Sequence, residues 1–203
     1  MSAIKVISLF EKCTDPNGIY VNTTSKSEVD WQTDLSPFYL GPCELYWGLQ
    51  SERMENAWQY CKVYPQYDNH GEPTEEYFEW AHKGWCNSLP VRYPMGKGKK
   101  PLYSWWDGHK LSYLEARKHI YVPLYARAVI KTRGFLKLME LYIEALGQNK
   151  TLYLRDYDAY RHEEAGMTLR QVLENDKKKC GHAFVLAMML TQDKVLYECQ
   201  LPS

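Results

Sequence analysis

Three groups of residues in this chain have the types and spacing to do chemistry. The first is Glu55, Gln59 and Lys62, four and three positions apart in MENAWQYCK and interleaved with the apolar residues Met54, Ala57, Trp58 and Cys61. On a helix these intervals put the polar trio on a face beside the apolar stripe. A carboxylate in that setting loses water, holds its proton more tightly and becomes fit for acid or base work. From helix arithmetic alone Glu55 reads rather as a solvated boundary residue in an ordinary helix pair. The second group is Arg155, Asp156 and Asp158, which follow the apolar run Thr151–Leu154. Groups at a strand end sit on a rigid support; the two aspartates point the same way if the strand continues, whereas a turn would separate them.

The third group lies in Asn87–Lys110, where Arg92, Lys97, Lys99 and Lys100 alternate with Pro94, Gly96, Gly98 and Pro101 before Tyr103-Ser104-Trp105-Trp106. Glycines let backbone amides approach an anion, lysines neutralise it, and Trp105 or Trp106 can cover a base or sugar. The plainer alternative is a solvated basic loop with buried tryptophans. No GxxxxGK[ST] phosphate loop is present. His82 and Cys86 are four apart, but two ligands without two more do not make a zinc site, so neither metal nor other cofactor is expected.

These groups need elements to hold them. Ile4–Phe10 reads as a strand, followed by an Asp15-Pro16-Asn17-Gly18 turn and an extended Ile19–Val21, which together predict a hairpin. Asn22–Asp34 reads as a polar surface connection and Cys43–Trp47 as a strand, with Ser51 capping the helix that carries Glu55. Thr74–Lys83 predicts a second helix with Gly84 just past its end. Ser112-Tyr113-Leu114-Glu115 has capping-box form and opens a helix that Pro123 kinks or restarts. A further helix carries Phe135, Leu138, Met139, Tyr142 and Leu146. After the Thr151–Leu154 strand, Thr168–Gln171 is another capping box, Ala183–Leu190 a buried helix and Val195–Cys199 a terminal strand. The fold class is α/β (α+β): one domain over residues 1–203, a small sheet surrounded by helices, with 22–34 and 87–110 as surface or active-site loops.

With 203 residues one core is sufficient. The 25 basic and 25 acidic side chains cancel, which argues against a general phosphate-backbone binder while leaving local basic patches. The 17 Tyr and 7 Trp can line a pocket for a flat ligand as well as fill a core. Six scattered cysteines without a CxxC pair, no leader-like start and no apolar run of about 18 residues predict a cytoplasmic protein with reduced thiols and no membrane association.

Phe38-Tyr39-Leu40-Gly41-Pro42, then Glu55, Trp58, Gln59 and Lys62 in order, resembles the start of the NADAR or YbiA-like N-glycosidase domains. In that family an aromatic turn precedes a helix whose Glu leads into an aromatic-Gln-x-x-Lys pattern. The likeness extends more weakly to the Thr151–Asp158 strand and the last apolar helix. Asn56 stands where the family has His, and Tyr157-Asp158-Ala159-Tyr160 lacks the family's Trp-Gly. The resemblance implies a YbiA-like fold and hydrolysis of an N-glycosidic bond in a nucleotide, a modified base or an ADP-ribosyl adduct, with Glu55 and Asp156 or Asp158 as paired carboxylates; it alone reverses the reading of Glu55 as a solvated boundary residue. Phe38, Tyr39, Trp58, Gln59 and Lys62 then become substrate-binding candidates, and the ligand is nucleotide-like or ADP-ribose-like, free or in nucleic acid. The alternatives are a non-catalytic nucleotide or nucleic-acid recognition module and a partner-binding protein.

Overall fold

The computed structural model describes residues 3–199. In chain order it forms β1 (Ile4–Ser8), β2 (Ile19–Asn22), α1 (Asp30–Thr33), β3 (Cys43–Glu44), β4 (Gln50–Ser51), α2 (Met54–Tyr60) and β5 (Lys62–Val63). A 3-10 turn (Pro65–Tyr67), β6 (Asp68–Asn69), β7 (Glu72–Pro73), α3 (Glu75–Trp85), β8 (Tyr103–Trp106) and β9 (His109–Leu111) follow. Next come α4 (Tyr113–Ala116), a π-helical turn (Arg117–Tyr121), α5 (Val122–Val129), α6 (Arg133–Gly147), β10 (Leu152–Asp156), α7 (Leu169–Glu174), α8 (His182–Leu190) and a 3-10 turn at Lys194–Glu198. This is the mixed α/β architecture expected, with several small sheets among helices.

The principal sheet has the order β1-β10-β2 and is parallel throughout. The predicted hairpin is therefore not formed: β10 lies between β1 and β2, pairing Leu152 with both Ile4 and Ile19. The turn chemistry itself is present, since Asp15 accepts from the Asn17 and Gly18 amides, but it returns the chain to a parallel start. A central parallel strand is covered on both faces, and Leu152, Tyr153 and Leu154 are accordingly all buried. The almost wholly apolar α8 packs on β1 and β10 and against α5. No helix among the described residues is long and apolar enough to cross a membrane.

Several other expectations change. Only Cys43–Glu44 of the predicted Cys43–Trp47 strand pairs, because Trp47 and Gly48 turn the chain with positive φ. Val195–Cys199 is not a strand: Asp193 accepts from the Val195 amide and opens a 3-10 turn. Asn22–Asp34 is no simple surface connection, for Thr23, Thr24 and Gln32 are buried, with Gln32 accepting from Asn22 and Ser27. In 87–110, Tyr103–Trp106 and His109–Leu111 form a hairpin closed by Asp107-Gly108, both at positive φ as a two-residue primed turn requires. Pro123 falls in the first turn of α5, where the α-helical pattern resumes after a π-helical turn, so the helix restarts at the proline as expected. The preceding π turn, in which the Val122 amide reaches back to the Arg117 carbonyl, carries the chain continuously from α4 into α5. The capping boxes at Ser112 and Thr168 form as expected.

Gly84 lies inside α3 rather than past its end, and its role is close approach. A Cβ there would stand 2.0 Å from Cδ1 of Tyr60, whose ring is held between α2 and α3. Gly84→Ala is therefore expected to lower stability by about 1–3 kcal/mol despite alanine's better helix propensity. A denaturant midpoint at or above the wild-type value would contradict this packing.

Candidate active site

The helix carrying Glu55 is held by the turn that precedes it in sequence. Ser51 does not cap it. Its side chain instead donates to the Arg53 carbonyl, and α2 begins at Met54 without a side-chain cap. Two amides of its first turn are satisfied by Leu40, which accepts from Met54, and by Pro37, which accepts from Glu55. The 36–42 segment thus does the work of a cap and fixes where Glu55 enters the fold.

Glu55 is only 5% exposed and opens onto a cavity of about 500 Å³. Gln59 Nε2 donates to Glu55 Oε1 at 2.8 Å, while Lys62 Nζ donates to Gln59 Oε1 at 2.6 Å. The two contacts fix the amide's orientation and connect carboxylate to ammonium through one side chain. Burial pushes the Glu55 carboxyl above its ordinary range, against the pull of Gln59, Lys62, Arg92 and His182. Burial likewise lowers the Lys62 ammonium below the ordinary lysine value. Lys62 also stands 4.6 Å from the Trp58 ring centre, and Trp58 packs against Tyr121.

Across the same cavity lies the end of β10. Asp156 is its last residue and is 4% exposed; Asp158 lies in the turn beyond, yet both line the cavity. Their environments differ. Asp158 is partly exposed and bracketed by Arg92 at 3.2 Å and Lys179 at 3.0 Å. Asp156 Oδ2 is buried without a well-formed hydrogen bond, and His182 Nδ1 lies 3.3 Å from it. Gly181, just before α8, makes room for this carboxylate, since a Cβ there would come within 2.1 Å of Oδ2.

The structure brings together Phe38, Glu55, Trp58, Gln59, Lys62, Arg92, Lys99, Asp156 and Asp158 from the sequence-derived set. It separates the others. Tyr39 is 54% exposed and borders a different groove, while Lys97 and Lys100 stay in solvent outside the cavity lining. Trp105 and Trp106 do not reach the cavity: Trp106 is in the core beside Tyr46, and Trp105 packs towards Phe78. Their alternation on a short paired strand, rather than a loop, commits them to packing.

Sequence reasoning missed other contributors. Asn56, noted only as a departure from a motif, is fully buried; its amide donates to the Asn87 and Leu89 carbonyls and its oxygen accepts from the Val91 amide. It pins the segment that delivers Arg92. Tyr121, turned inward by the π-helical turn, has its phenol held well above the ordinary value by burial, then by Asp156 and Glu55, so it stays protonated. Lys26, Lys179 and His182 also line the cavity. The capping potential around Ser112 and the Cys180-Gly181-His182 approach to α8 were visible, but neither revealed a cavity between them. Among the described residues no group of three or more His, Cys, Asp and Glu is arranged to hold a metal ion.

No family model, curated protein or solved structure matches this chain.

Proposed function

We propose that this cavity hydrolyses an N-glycosidic bond in a nucleotide, a modified base or an ADP-ribosyl adduct. The observation that carries the reading is that Glu55 and Asp156, each about 95% buried, open onto one cavity beside Trp58 and Tyr121 and under a cationic rim. As a base leaves a ribose carbon, the sugar gains oxocarbenium character, which carboxylates in a poorly solvated site stabilise strongly. The flat base has Trp58 and Tyr121 to pack against. Lys26, Arg92, Lys99 and Lys179 offer charge for phosphate. The order Phe38, Glu55, Trp58, Gln59, Lys62, similar to that of the NADAR domains, supports the same reading.

The two carboxylates divide the work. Glu55 receives a proton from the attacking water, and Asp156 serves the departing nitrogen. Asp158, held between two cations, braces Arg92 and Lys179 rather than reacting.

Incubation of purified protein with nucleosides, nucleotides, ADP-ribosylated guanine and an oligonucleotide carrying that adduct should release free base or ribosyl product, read by chromatography. Saturable binding without turnover would replace the enzyme with a recognition module. Failure to bind any of them, with a protein partner co-purifying, would favour the interaction reading.

A further inference from the structure

We propose that His182 is a positioning residue that keeps one proton shared with Asp156 and so makes Asp156 the general acid of this cavity. The assignment to the reaction rests on the N-glycosidic reading above; the shared proton does not. Its basis is the direction in which each ring nitrogen is committed. His182 Nε2 lies 2.7 Å from the Thr23 carbonyl oxygen and 2.9 Å from Thr23 Oγ1. The carbonyl can only accept. Thr23 Oγ1 donates its proton to the Arg155 carbonyl at 3.0 Å, so towards His182 it too presents a lone pair. Nε2 must therefore carry hydrogen.

That leaves Nδ1 facing Asp156 Oδ2 at 3.3 Å, with both side chains at most 8% exposed. In a neutral ring of this tautomer Nδ1 is a lone pair, and a lone pair against an ionised carboxylate is repulsive, the more so because Oδ2 itself is buried without another partner. One proton in the gap resolves the clash, either as imidazolium beside carboxylate or as imidazole beside carboxylic acid. Both forms belong to one coupled pair.

The surrounding groups leave that proton where it is. Tyr125 from α5 packs on the His182 ring, and Tyr121 from the π turn faces Asp156; burial holds both phenols far above the neutral range. The neighbouring Cys180 thiol is pushed up to about 12, again by burial. From α2, Glu55 lies within electrostatic reach of His182, and its own charge is favoured by Lys62, joined to it through Gln59, and by Arg92. Asp158 is neutralised by its two cations, and Arg117 is spent on carbonyls.

In the reaction the bond between sugar carbon and base nitrogen breaks with its electron pair passing to nitrogen. The proton shared by Asp156 and His182 moves to that nitrogen. Water oxygen bonds to the sugar carbon, and the proton it loses passes to Glu55. Return of that proton through solvent to the pair closes the cycle with one water consumed. After transfer, the carboxylate again faces a lone pair, which drives reprotonation.

Two measurements test this. Carbon-13 and nitrogen-15 NMR of wild type, assigned with Asp156→Asn, should show His182 Nε2 protonated throughout and the Asp156 carboxyl and His182 Nδ1 titrating together. Independent titrations, or an unprotonated Nε2, would overturn the shared proton whether or not any substrate turns over. In the rate assay, His182→Gln should lose about 10²-fold at neutral pH, the low end for general-acid catalysis. Its high-pH fall in rate should also move to lower pH, so that acidification restores part of the activity. An equal loss at every pH would reduce His182 to a structural residue. A wild type without turnover, but with the coupled titration, would instead remove the N-glycosidic reading and leave the pair.

Discussion

Glu55→Gln should reduce base release by about 10³-fold or more while leaving the protein folded. The amide keeps the shape and still accepts from Gln59, so the geometry along α2 survives. What it loses is the capacity to take a proton from water and to oppose positive charge on the sugar. Proton transfer contributes about 10²–10⁴-fold, and charge stabilisation in a dry site adds to it. The same substitution has a signed effect on stability. Burial raises the folded-state value of Glu55, so the unfolded chain ionises first as pH climbs above the ordinary carboxylate range. Wild type loses stability from there until the folded carboxyl also ionises. Glutamine has no such loss. The stability of Glu55→Gln relative to wild type should therefore increase between pH 4 and pH 7, measured by urea denaturation at each. Lys62 behaves in mirror image: its lowered value removes stability as pH falls below the ordinary lysine range. Full turnover by Glu55→Gln would exclude this carboxylate from the chemistry.

The helix face bearing Glu55, Gln59 and Lys62 was legible because 3.6-residue periodicity is local, and those three side chains do connect along one run. The strand ending in Asp156 was legible for the same reason. Its position between β1 and β2 was not: the Asp15-Gly18 turn announces a local reversal, whereas pairing with a strand some 130 residues later depends on competition among surfaces. Trp105 and Trp106 illustrate a second limit. Aromatic residues beside a basic loop have the chemistry for stacking, but the two-residue Asp107-Gly108 turn puts them in a hairpin that packs inward. His182 shows a third. A lone histidine at the start of an apolar helix has no local signature, and its meaning comes from Thr23 and Asp156, which approach from two other elements.

Arg117→Met is expected to destabilise the protein by about 3–5 kcal/mol, because several buried carbonyls lose a charged donor at about 1–3 kcal/mol each. Arg117 is 2% exposed, and its guanidinium donates to the carbonyls of Val172, Leu173, Asn175 and Lys178 at 2.8–3.3 Å. None of these bonds goes to a carboxylate. The acceptors are the end of α7 and the chain beyond it, where carbonyl dipoles favour a cation. Tyr113, 4.6 Å from the guanidinium carbon at its ring centre, covers the charge. Methionine fills much of the volume but leaves several carbonyls buried without donors. For a chain of this length the loss corresponds to a melting temperature lower by roughly 10 °C. The segment released is the one that brings Lys179, Gly181 and His182 to the cavity, so activity should fall at temperatures where the variant is still folded. Arg117→Lys separates charge from geometry: its ammonium cannot span the four carbonyls, and it should recover only part of the loss. A melting temperature for Arg117→Met within about 2 °C of wild type, by circular dichroism, would mean that the 172–178 segment is held by its apolar contacts alone.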